Sequence, residues 1–262
     1  MKPAGLAFLA LLVLATAAEA QMRGKRMGGG EGDSPVGMVE RREAAIEATG
    51  LTPVFPAGFA CEPVSSPYGS PTRYDGSRRR MDRNGGLHGG MDLTLAEGTP
   101  LLAIANGEVI AKGEGGQLEG IFLWLRIAPE DSGLPFWTFA KYQHLSALPT
   151  LEVGARVTAG QVVALSGGTG TAGGHYGAAG YPHLHLSAHY GHSGEFAVLG
   201  MFRSMVKGAG AVSGDPLRLY LPGGEAPADT ASRAVAVPVI GPDGAAVPAG
   251  SQVVWPVTCR RE

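Results

Sequence analysis

Polar and apolar residues alternate through the centre of the chain. In His183-Leu184-His185-Leu186-Ser187 the period is two, so a strand would turn His183 and His185 to one face and Leu184 and Leu186 to the other. Runs rich in aromatic and β-branched residues predict further strands at 99–105, 108–112, 121–127, 136–144 and 161–165, with the histidine-bearing strand at 182–190. Asn106-Gly107 between the first two predicts a hairpin. The expected sheet has roughly six strands, a usual size. His144 ends one strand and the His183/His185 pair lies on another, so the polar face becomes a groove floor.

Helical periodicity is confined to 35–50, with Pro35 near the start and Gly50 as a stop. Weaker β signals recur at 234–240 and 252–259, around Gly241-Pro242-Asp243-Gly244. Glycine, at 42 of 262 residues, adds many tight turns. The expected fold is therefore all-β: an antiparallel sheet with a polar groove and a short N-terminal helix.

The N-terminus has Lys2, an apolar run at about 6–18 and Ala18-Glu19-Ala20, the pattern of a cleaved signal peptide over 1–20. The run falls short of the ~20 residues that span a bilayer. An uncleaved anchor is the alternative; no cysteine stands at the cleavage point to take a lipid. The mature chain is expected to begin near Gln21 in the periplasm or outside the cell, as a monomer without a stable membrane anchor. The expected division is signal peptide 1–20, linker and helix 21–60, main domain 61–222, and a Pro/Ala/Gly linker with β segments over 223–262.

Charge changes the picture by exclusion. With 21 Lys+Arg against 23 Asp+Glu and no long basic tract, nucleic acid is not the expected partner. The short cluster Arg78-Arg79-Arg80 with Arg83 reads as a solvated loop. Cys61 and Cys259, at the two ends of the folded region of an exported chain, suggest one disulfide, with two free thiols as the alternative.

The candidate chemistry lies in His88 and Asp92 of HGGMD, His144 of YQHLS, and His183 and His185 of PHLHLS. Two histidines and a carboxylate suit a Zn²⁺ site with one position left open, and two more histidines remain to move protons. Gly89 and Gly90 disfavour a helix between His88 and Asp92, so a loop running into the strand-like MDLTL must wrap both around an ion. No HExxH motif occurs. Tyr142 shares His144's parity and either lines the groove or is half-buried in the core. His189, His175 and His192 read as surface residues.

These segments resemble the lysostaphin/LytM-type zinc endopeptidases. The resemblance runs through His88, Asp92 and Gly98-Thr99-Pro100, then Tyr142 with His144-Leu145-Ser146. It continues through Val153-Gly154, Val157 and Gly160-Gln161 to Pro182–Leu186, with Asp215-Pro216-Leu217 similar to the family's closing D-P-x. It implies a fold related to the duplicated hybrid motif, and one zinc on His88, Asp92 and His185. His144 and His183 are then non-ligand catalytic histidines, one a base and the other an oxyanion stabiliser, in an order left open. The implied substrate is the peptide part of bacterial peptidoglycan, whose acidic groups the arginine cluster could alternatively face. Two departures stand out: the turn before Pro182-His183 is stretched to TGTAGGHYGAAGYPH, and Ser187 replaces a commonly acidic residue. A catalytically silent wall-binding regulator is the rival reading. A lipoyl-type carrier is excluded, because the turn at Asn106-Gly107 holds no lysine.

Overall fold

The computed structural model describes residues 46–116, 118–170, 181–199, 205–225 and 231–262. Residues 42–262 belong to one compact unit; residues 1–45, with the expected signal peptide and the 21–34 linker, lie outside the described residues. Of the expected helix only 46–50 is described, and it is not helical. There the Ala48 backbone lies against Gly69, and the Thr49 hydroxyl donates to the buried Asp215 carboxylate.

Among the described residues the main sheet has seven strands. From one edge it runs Val212–Gly214, His183–Gly191, Trp137–Leu145, Ile121–Ile127, Gly107–Glu114 and Arg156–Val157. Met91–Thr94 pairs beside Val212–Gly214 on the same side of His183–Gly191. Every pairing in it is antiparallel. Alternation sorts the two faces as expected. Leu184, Leu186, Leu123, Leu125, Ala140, Met91 and Leu93 pack into the main core. The opposite face carries a smaller apolar layer of Ile110, Phe122, Trp124 and Phe139.

The expected hairpin at Asn106-Gly107 does not form. Pro100–Leu102 pairs instead with Val162–Leu165 in a separate two-stranded sheet, so neither joins the main one. Its backbone groups are claimed from elsewhere: Leu102 N–H by Pro256 O, Ala103 N–H by Gln161 O, and Ile104 O by Val254 N–H. The Asn106 side chain turns to accept from Ala159 N–H at 2.9 Å. Local turn preference loses to a set of long-range hydrogen bonds.

The C-terminal residues complete the same core. Arg233–Ala236 pairs in parallel with Leu51–Val54, and Val239–Ile240 pairs antiparallel with Ala246–Val247, so the expected 234–240 strand is broken into two. The expected strand at 252–259 is absent; Arg260–Arg261 pairs with Phe59–Ala60 instead. Trp255 is fully buried and donates through Nε1 to Glu62 O at 3.2 Å. Cys61 and Cys259 form the expected disulfide beside it.

Candidate metal centre

Cross-strand pairing places the first two site residues. Asp92 on Met91–Thr94 stands directly opposite His185 on His183–Gly191, so both side chains leave the same face. Gly89 and Gly90 then turn the chain to bring His88 over them, and the absence of a side chain at Gly90 is required. A Cβ there would lie 2.7 Å from His185 Nε2 and against Leu186 O.

The donor atoms converge tightly. His88 Nε2 is 3.0 Å from His185 Nδ1 and 3.1 Å from Asp92 Oδ1, and His185 Nδ1 is 2.8 Å from the same oxygen. One ligand atom from each residue lies within 4.8 Å of the other two. The surroundings of His88 assign its proton. Pro67 O, an acceptor only, lies 3.0 Å from His88 Nδ1, so that nitrogen carries the hydrogen and Nε2 the lone pair. Ser187 Oγ lies 2.9 Å from His185 Nε2, and because a hydroxyl both donates and accepts, this contact serves either tautomer of His185. Ser187, the departure from the family pattern, thus orients a candidate ligand.

Charge follows the same plan. Burial raises the Asp92 carboxyl, but His88 and His185 outweigh it and hold the group well below the usual carboxylate range. Burial depresses the His185 imidazole to about 4, against the partial support of Asp92. Two imidazole nitrogens and a carboxylate oxygen facing one point fit a divalent cation that accepts nitrogen and oxygen ligands, as Zn²⁺ does.

Arg79 turns inward from its loop, which the solvated reading of the arginine cluster missed. Its Nη2 donates to Ser66 Oγ at 2.8 Å and to Asp92 Oδ2 at 3.4 Å, and its Nε to Thr72 O at 3.2 Å. No sequence periodicity separates it from Arg80, which pairs with Asp82 at the surface.

His144 and His183 stand beside this cluster. Their ring centroids are 4.5 Å apart, and His144 is 5.9 Å from His185. His183 donates through Nδ1 to Tyr181 O at 2.9 Å, and the Tyr181 ring stacks on it at 4.3 Å. His144 donates through Nδ1 to Thr169 O at 2.8 Å. Both therefore keep Nε2 as a lone pair. Burial lowers both imidazoles; for His144 the nearby His183 and His185 push further, to well below 6.5.

His144 reaches the site through a β-bulge. Gln143 pairs with Phe122 and Leu145 with Ile121, which leaves His144 as the extra residue, with φ at +64°. The bulge reverses the parity. Tyr142 therefore points into the core, fully buried, with its hydroxyl donating to Leu102 O at 2.9 Å and accepting from Ile104 N–H at 3.0 Å. The shared face expected for Tyr142 and His144 is lost. His189 packs on Trp124 at 5.6 Å, and His192 is exposed. His175 and most of the stretched turn lie outside the described residues.

Known proteins are similar to this chain in sequence. Residues 86–195, which hold all five site residues, match Peptidase family M23. Glycyl-glycine endopeptidase ALE-1 of Staphylococcus capitis is 37% identical over 106 residues, 39% of this chain and 25% of that protein. The chain thus spans about a quarter of the length of that curated relative. The catalytic domain of the antimicrobial peptidase lysostaphin from Staphylococcus simulans is 31% identical over 44% of this chain and 75% of its own, with a TM-score of 0.34. Lysostaphin itself is 30% identical over 40% and 38%, with a TM-score of 0.32. Residues 86–195 are thus similar to the peptidase domain of family M23, in agreement with the resemblance read from the sequence.

Proposed function

We propose that this protein is a zinc endopeptidase that hydrolyses peptide bonds in bacterial peptidoglycan, acting as a monomer in the periplasm or outside the cell. One observation carries the reading. His88 Nε2, Asp92 Oδ1 and His185 Nδ1 face one another within 3.1 Å, with the His88 proton committed to Pro67 O. The family match and the printed activity of the glycyl-glycine endopeptidase relative support the substrate class. The Cys61–Cys259 disulfide supports an oxidising compartment.

His88, Asp92 and His185 would hold the zinc. When bound, the ion supplies Lewis acidity, polarising a carbonyl and making water acidic near neutral pH. The chain's own groups do the proton work. His144 and His183 are both neutral with Nε2 free, so either can accept the proton of the attacking water. The imidazolium so formed steadies the developing oxyanion and returns the proton to the leaving amine. Asp92 supplies the only carboxylate in the ligand group, which leaves the centre with net positive charge toward the carbonyl.

The test is digestion of purified peptidoglycan followed by mass spectrometry of the released fragments. New amino and carboxyl termini at peptide bonds are expected. A zinc-loaded protein that releases nothing from several peptidoglycan types would favour the regulator.

A further inference from the structure

We propose that Thr169 is the positioning residue that sets the geometry of His144. This rests on the catalytic role proposed for His144 above. A bulge leaves ladder groups without partners on both strands. Here they are Ile121 N–H and Leu145 O, the pair flanking His144. The Thr169 hydroxyl takes both: Oγ1 accepts from Ile121 N–H at 3.0 Å and donates to Leu145 O at 2.7 Å. The same residue's carbonyl accepts from His144 Nδ1–H at 2.8 Å. One residue thus closes the bulge through its side chain and fixes the imidazole tautomer through its backbone.

The surroundings are shaped for this approach. Gly120 and Gly170 have φ of +59° and +60°. A Cβ on Gly120 would run into the Thr169 carbonyl, and one on Gly170 into the Gly120 backbone. Left-handed φ is uncommon outside glycine, so His144 depends on its neighbours to stay there. His183 is held separately, by Tyr181 O at Nδ1 and by Gly167 O at its backbone N–H. A change at Thr169 therefore acts on one histidine and not the other. Serine keeps a hydroxyl that can donate and accept; valine keeps the shape and does neither.

The experiment compares Thr169→Val and Thr169→Ser in the full chain. It reads zinc content, kcat/KM on peptidoglycan, and the imidazole ¹H–¹⁵N signals, with His144 identified by its loss in His144→Ala. In Thr169→Val, kcat/KM should fall about 10- to 100-fold, the cost of a small misplacement, with zinc retained. The His144 signals should move from a single Nδ1–H tautomer to a mixture while those of His183 stay. Thr169→Ser should restore both rate and tautomer. Should the valine variant not fold, Thr169→Ala carries the same expectations. An unchanged His144 tautomer in the hydroxyl-less variant, or no recovery with serine, would overturn the proposal. Wild-type turnover in His144→Ala would instead overturn the role of His144, and the tautomer comparison would still decide this one.

Discussion

His88 Nε2 stands 3.0 Å from His185 Nδ1, and the His88 nitrogen presents its lone pair, because its Nδ1 hydrogen goes to Pro67 O. Asp92 Oδ1 faces them from 3.1 and 2.8 Å. The hydrogen bond from His88 to Pro67 O turns the Nε2 lone pair toward the cluster, and Ser187 holds the far edge of the His185 ring.

Arg79 holds the other oxygen of Asp92, at 3.4 Å. Arg79→Met should weaken zinc retention about tenfold, the lower end of what losing an outer partner of a ligand costs. Competition with a zinc indicator checks this. Unaltered affinity would reduce Arg79 to a loop-packing residue.

His144 and His183 separate catalysis from metal binding. Replacing either with Ala should leave zinc content unchanged while turnover falls about a hundredfold or more, as for loss of a general base or oxyanion donor. Zinc-replete variants working at the wild-type rate would remove these histidines from the mechanism.

The acid side of the pH profile has a definite sign. Burial, then His183 and His185, hold His144 well below 6.5. A base with a depressed pKa stays unprotonated further into acid, and a bound dication pushes the same way. Activity should therefore persist below pH 6.5 and be lost only as pH falls through the lower value. An acid limb of kcat/KM at or above the reference of about 6.5 would contradict the assignment.

The strands at the site were legible because burial on one face imposes a period of two, as in His183–Gly191. The same rule misled at Tyr142, where one extra residue at His144 reverses parity and no sequence signal marks the bulge. Asn106-Gly107 is a strong local turn signal, yet Tyr142, Gln161 and Val254 compete for the adjacent backbone across long sequence separations. The five candidate residues were singled out by motif and spacing, and the fold brings them together. The contacts of Arg79, Ser187 and Thr169 around them arise only in the fold.

The disulfide ties together residues 198 apart, joining the domain entrance to the C-terminal segment around Trp255. Chain entropy alone would give about 5 kcal/mol for so long a loop, and about 2–4 kcal/mol is the usual measured gain. Denaturant unfolding of the Cys61→Ser/Cys259→Ser variant should show a loss in that range. Equal stability, or two thiols titrating in unfolded, unreduced protein, would refute the pairing.

The central claim is that His88, Asp92 and His185 hold the zinc that peptide hydrolysis needs. Elemental analysis paired with peptidoglycan digestion tests it in one series: wild type, chelated, zinc-restored, and each of the three alanine variants. One zinc per wild-type chain is expected, with hydrolysis abolished by chelation and recovered with zinc, and both metal and activity lost in every variant. Full zinc occupancy in all three variants, or hydrolysis that survives chelation, would contradict it.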